Sequence, residues 1–198
     1  GAATAAPEGR VDYVKGPGRA PVMTAPGRGI VRGLEYEYRA DTTREPAFRM
    51  NWPVRWAVEH PAPLPDDVKP KKTGTTLDIS LAPRDTNENF SFRWTGYIRV
   101  PRTGVYTFTA LSDDGSAMWI GDRNVFWSVG QSPKTTESSG QIALQAGLHP
   151  VTITFFQAYG PMAMELDVEG PGIGRQRVPS SWFYRQAARA STSGPANR

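Results

Sequence analysis

Between residues 34 and 184, apolar and polar positions alternate in short runs, with turn residues separating the runs roughly every 8–12 positions. LEYEYR (34–39) alternates, and in FSFRW (90–94) Phe90, Phe92 and Trp94 share one face while Ser91 and Arg93 share the other. After Thr95-Gly96 the run continues as YIRV, and the glycine invites a bulge or bend. PRTG (101–104) turns into VYTFTAL (105–111), Asp113-Asp114-Gly115 turns the chain into SAMWI (116–120), and GDRN (121–124) turns it into VFWSV (125–129). SGQIALQAGLHPVTITFFQA (139–158) predicts a strand, a turn around Ala146-Gly147 and a longer strand. In MAMELDVE (162–169), Met162, Met164, Leu166 and Val168 face one way, and Ala163, Glu165, Asp167 and Glu169 the other. No amphipathic helix of useful length interrupts these β-branched and aromatic runs. The pattern predicts an all-β fold: an antiparallel sandwich of barrel-like shape with long connecting loops.

The pattern stops at both flanks. Residues 1–33 are rich in Gly, Pro and Ala with scattered Arg, and read as a linker or the end of a preceding segment. Residues 185–198 form a basic, small-residue tail. The β domain is therefore assigned to 34–184, as a module of a longer polypeptide. Inside it, the Pro- and charge-rich stretch 53–74 reads as a long surface excursion.

Composition narrows the chemistry. The 198 residues are 38% hydrophobic and 11% aromatic, enough to bury a core, and no run approaches the ~18 consecutive apolar residues of a membrane span. The absence of cysteine excludes disulfides, thiolate metal sites and cysteine nucleophiles. The two histidines, His60 and His149, each precede a proline, in contexts that read as loop or turn. The net charge of +4 lies in the flanks: residues 1–33 hold five basic and two acidic side chains, 185–198 hold three basic and none acidic, and 34–184 hold 15 basic against 17 acidic. A basic groove for a nucleic-acid backbone is not indicated.

Three constellations carry candidate chemistry. Glu165, Asp167 and Glu169 share one strand face at a spacing that could flank a glycosidic bond, but three acids with no apolar neighbours read more simply as the solvated face of a half-buried strand. No GxSxG motif is present, and GPGIG (170–174) follows a strand without opening a helix, so neither nucleophilic catalysis nor a phosphate loop is supported. Trp52, Trp56, Trp119, Phe126, Trp127 and Tyr159 exceed what the cleaner strand faces need, and an exposed ring can stack on a flat apolar partner such as a sugar. The adjacent Asp113 and Asp114 offer up to four oxygens to a hard cation such as Ca²⁺. Consecutive side chains normally point apart, so chelation by both requires an unusual backbone, which a cis peptide would supply. Asp-Asp-Gly is equally ordinary hairpin chemistry, with the glycine at positive φ and an aspartate capping the turn. The local sequence leaves both readings open.

The ordered set FSFRWTGYIRVPRTGVYTFTALSDDGSAMWIGDRNVF, SGQIALQAGLHPVTITFFQ and MELDVEGPGIGRQRVPSSWFY resembles the PA-fourteen domain family, named after anthrax protective antigen. The resemblance runs from about Leu34 to Tyr184 and is dense from Phe90 onward. It implies a β-sandwich of barrel-like shape serving as a non-catalytic module in extracellular multidomain proteins, with a secreted, periplasmic or cell-surface location. The ending EGPGIGRQRVPSSWFYR is most similar to modules attached to bacterial glycoside hydrolases and other secreted or envelope proteins. In sugar-binding adhesin members the adjacent aspartates form a cis peptide and hold Ca²⁺, which coordinates sugar hydroxyls. Asp113 and Asp114 match that pair, with Trp119, Trp127 and Tyr159 as candidate stacking partners for a glycan or cell-surface polysaccharide. Those members complete the site from an Asn- or Asp-rich loop after the long strand. The matching stretch here, QAYGPMA (157–163), has neither and leaves Gln157, backbone carbonyls or water as donors. The alternative expectation is a structural or protein-interaction module whose flanks, 1–33 and 185–198, dock on partner subunits.

Overall fold

The computed structural model describes residues 29–40, 69–128 and 135–187. These residues form two antiparallel sheets, as the alternation predicts. The strands are β1 (Ile30–Arg32), β2 (Leu34–Ala40), β3 (Lys72–Thr76), β4 (Phe90–Val100), β5 (Gly104–Asp113), β6 (Gly115–Ile120), β7 (Arg123–Ser128), β8 (Thr136–Leu144), β9 (Gly147–Gln157), β10 (Ala163–Gly170), β11 (Ile173–Arg177) and β12 (Phe183–Gln186). A single 3-10 turn, Ser180–Trp182, precedes β12.

The large sheet runs β1-β12-β4-β9-β6-β7, and the small one β11-β10-β5-β8. One edge of β4 is shared: β2 pairs with Phe90–Thr95, β12 with Tyr97 and Ile98, and Gly96 marks the changeover. The other edge of β4 pairs with β9 along its whole length, from Phe90↔Gln157 to Val100↔Gly147. The sheets face each other across one apolar core and do not close into a barrel. Phe90, Phe92 and Trp94 of β4 meet Tyr106 and Phe108 of β5 there, all 1% exposed or less. Burial of side chains this large stabilises by roughly 1.5–3 kcal/mol each, which makes this interior the main source of folding free energy.

Several boundaries differ from the sequence reading. The fold extends past 34–184 at both ends, because Ile30–Arg32 pairs with Tyr184–Gln186. A three-residue strand between Gly29 and Gly33 has no period to detect and exists only through its distant partner. β3 begins inside the stretch read as a surface excursion, 53–74, and ends two residues beyond it. Its sequence KTGTT has no apolar residue, and as an edge strand paired only with β2 it needs none. β7 begins at Arg123, within the expected GDRN turn. Residues 53–68 of the excursion, with Trp56 and His60, lie outside the described residues, as does Trp52.

On the acidic face of β10, Glu165 and Asp167 are engaged. Arg175 contacts Glu137 and Asp167, and Arg177 contacts Asp167 and Glu165, forming an ion-pair ladder across β8, β10 and β11. Carboxylates engaged in this way with guanidinium groups are poorly suited to acid–base work. On β4, Arg93 sits on the face opposite the core, as its parity predicts, yet it is only 7% exposed and its pKa is lowered chiefly by burial.

Candidate functional site

Two fully described crossings between the sheets lie at the same end of the sandwich. Asp113 is the last residue of β5, in the small sheet, and Gly115 the first of β6, in the large one, so Asp114 alone makes the crossing. The second crossing is the loop 158–162, from Gln157 at the end of β9 to Ala163 at the start of β10. Register places the crossings side by side: Asp113 is opposite Ala163 in one sheet, and Gly115 is opposite Phe156 in the other.

The Asp113–Asp114 peptide is cis. Gly115 is not at positive φ, contrary to the hairpin reading. Its role is close approach: a Cβ there would lie 2.2 Å from the Phe156 ring and 2.5 Å from the Ser128 carbonyl oxygen. The motif is therefore a sheet-to-sheet crossover rather than a hairpin tip.

Around it lies a buried polar group at the end of an apolar interior. Asp113 is 2% exposed and Gln157 is fully buried. Ser116 Oγ donates to Ser112 Oγ at 2.9 Å, both side chains fully buried. Gln157 Nε2 donates to the carbonyls of Gly160 (3.3 Å) and Pro161 (3.0 Å), which spends the donating end of the amide within the loop. The Ala158 N–H donates to Asp114 Oδ2 at 2.6 Å. Asp113 Oδ2 and Gln157 Oε1 are buried and accept no hydrogen bond among the described residues. An acceptor buried without a donor costs about 1–3 kcal/mol, more when charged, so each calls for a donor such as water, a proton or a cation. The Asp114 carboxyl lies above its usual pKa, first because burial disfavours the charged form and further because Asp113 is close; the Ala158 N–H opposes both.

These donors fit a hard cation. Two carboxylates and one amide oxygen are the ligand types that Ca²⁺ takes, with carbonyls or water completing its 6–8 oxygens. Among the described residues no group of three or more His, Cys, Asp or Glu side chains could hold a metal, so a cation here would need a neutral third side-chain donor. Gln157 meets that requirement. Its signal in the sequence was parity, since it continues the inward face of Ile153 and Phe155 with a polar side chain. Ser112 and Ser116 carry the same signal beside Ala110 and Met118.

The candidate stacking residues separate. Tyr159, in the second crossing beside Asp114, is 69% exposed, and Trp127, on edge strand β7, is 56% exposed. Trp119 is only 2% exposed, clustered with Ala117 and Phe156 on the outer face of the large sheet, and presents no ring face to a ligand. Phe126 belongs to the core.

Comparison with known proteins identifies the class. The PA14 domain family model matches residues 31–182, and the chain belongs to that family. A solved anti-sigma factor domain-containing protein from Clostridium clariflavum is 26% identical, with a TM-score of 0.58 over 85% of this chain and 52% of that one. The A domain of epithelial adhesin 9 from Candida glabrata, solved with Galβ1-3GlcNAc, has a TM-score of 0.61 at 10% identity, over 84% of this chain and 95% of that one. The anti-sigma-I factor RsgI3 of Acetivibrio thermocellus is 29% identical over 98 residues, 49% of this chain and 15% of its own length. The chain thus spans about half of the solved anti-sigma relative and a small fraction of the curated one.

Proposed function

We propose that this domain is a non-catalytic carbohydrate-binding module whose site is assembled on a Ca²⁺ ion held by Asp113, Asp114 and Gln157. The observation that carries the reading is the pair of buried oxygens, Asp113 Oδ2 and Gln157 Oε1, left without donors beside the half-buried Asp114 carboxylate. The ion supplies the missing positive charge and, when bound, a coordination position for vicinal sugar hydroxyls. Tyr159, next to the site, offers an aromatic face for a sugar ring, and Trp127 offers a second on the neighbouring edge strand. The sugar complex of the Candida adhesin domain, which shares this fold, supports the substrate class and a secreted or surface setting.

The test is direct. Ca²⁺ raises the melting temperature of the wild-type domain relative to EGTA, and a printed array of β-galactosides, β-glucans and peptidoglycan fragments gives hits that EGTA removes. Asp114→Ala loses both while keeping its EGTA melting transition. A folded wild type with neither a Ca²⁺ shift nor array hits overturns the reading. That outcome would favour a protein-contact module docking through 1–33 and 185–198, an alternative supported by the anti-sigma relatives, which have the higher sequence identities.

A further inference from the structure

We infer that Asn89 is a specificity residue of this saccharide site, supplied by a third loop that neither crossing contains; the inference rests on the carbohydrate reading above. Asn89 closes the loop 77–89 just before β4, and its backbone N–H donates to the Ala158 carbonyl at 2.9 Å. The Ala158 N–H in turn donates to Asp114 Oδ2 at 2.6 Å. Two hydrogen bonds, one to the carbonyl and one from the N–H of Ala158, therefore connect Asn89 to the Asp114 carboxylate, and Asn89 lies beside the residue preceding Tyr159.

The loop that brings it there is braced. Tyr38 Oη donates to Asp85 Oδ1 at 2.6 Å, and Lys71 and Lys72 hold Asp85 Oδ2 at 3.0 and 3.4 Å. The Tyr38 hydroxyl first, and the lysines after it, lower the Asp85 carboxyl to about 2. Arg84 ties back to the Leu81 carbonyl and to Asn87 Oδ1, and the Thr86 hydroxyl bridges the Glu88 carbonyl and N–H. A contact residue on such a segment is held in place before ligand arrives, which lowers the entropy cost of binding.

Asn89 is the only non-glycine residue at positive φ among the described residues, at 54°. Backbone geometry alone would be served as well by glycine, which adopts this region without a Cβ penalty. What asparagine adds is a carboxamide with two donors and an acceptor, matching a pair of sugar hydroxyls that each donate and accept. A carboxylate would accept only.

Glycine separates the two roles. Asn89→Gly keeps the backbone N–H to Ala158 and the positive φ, and removes only the carboxamide. The wild-type domain is screened on the array above, and its tightest hit is titrated by calorimetry in saturating Ca²⁺. We expect Asn89→Gly to retain the wild-type Ca²⁺ shift in melting temperature and to bind that saccharide about tenfold more weakly. Asn89→Asp, equally tolerant of this backbone region, is expected to change the rank order of array hits. Wild-type affinity in Asn89→Gly together with an unchanged rank order in Asn89→Asp overturns the inference. A wild type with a Ca²⁺ shift but no array hit also overturns it, leaving the cation site in place; a wild type with neither overturns the carbohydrate reading itself.

Discussion

Asp114 and His149 respond to acid in opposite directions. The folded-state pKa of Asp114 is raised, first by burial and then by the Asp113 charge. For an acid shifted this way, the contribution to stability is full below the unfolded value near 3.9 and is lost as pH rises through the raised folded value. The cation-free domain therefore carries a penalty at neutral pH. Asp114→Asn is expected to melt at or above the wild type in EGTA at pH 7, while losing the Ca²⁺ response. With Ca²⁺ bound as proposed, the wild type at about 100 times the Kd is expected to gain roughly 2.7 kcal/mol, a gain that fades on acidification at a higher pH than for an ordinary carboxylate; calorimetric melts across pH read both effects. His149 is fully buried, with Nε2 2.7 Å from the Gln145 carbonyl oxygen and Nδ1 without a partner. Burial lowers its pKa against the opposing bond to Gln145. The unfolded chain then takes up the proton first, so stability falls as pH drops below about 6.5. Urea midpoints measured from pH 7.5 to 5 should show this slope, and His149→Gln should flatten it.

At the scale of strands, legibility depended on how many faces are buried. β10 buries one face, and β4 does so except at Arg93, so their alternation was readable almost position by position. All six residues of β6 are buried, so parity assigned Trp119 to the side away from Met118 and Ile120 without revealing that this side is covered too. β1 and β3 were invisible because their reason to be strands lies in distant partners, not in their own side chains. Close strand approach was equally hidden: a Cβ on Gly140 of β8 would lie 1.7 Å from the Val125 carbonyl oxygen of β7. Gly140→Ala must displace backbone, and a loss of roughly 1–3 kcal/mol is expected in urea unfolding. The ladder of Arg175 and Arg177 with Glu137, Glu165 and Asp167 is exposed, so Arg175→Ala should leave the urea midpoint close to that of the wild type, with the small difference shrinking further in high salt.

Across the whole molecule, the site was half legible. The aspartate pair announces itself as a motif, and Gln157 by a polar side chain at an inward position. That Asn89 lies next to Ala158 follows only from β4 lying beside β9, a pairing of segments far apart in the chain that no local pattern encodes. The same holds for the closure of the large sheet, where β1 and β12 bring the two ends of the described fold together. A chain beginning at Leu34 would leave the β12 edge unpaired. It should unfold at lower urea than a chain that includes residues 29–33, and self-associate by light scattering at concentrations where the longer one stays monomeric.

The single-residue crossing at Asp114 also has a mechanical meaning. With no slack between β5 and β6, a pull applied there reaches both sheets together: the ladders that join β5 to β8 and β10, and the one that joins β6 to β9. A load directed along those strands acts on many hydrogen bonds in parallel, so they must rupture as a group instead of unzipping one at a time. Anything held at this end of the sandwich is tethered directly to a paired strand of each sheet.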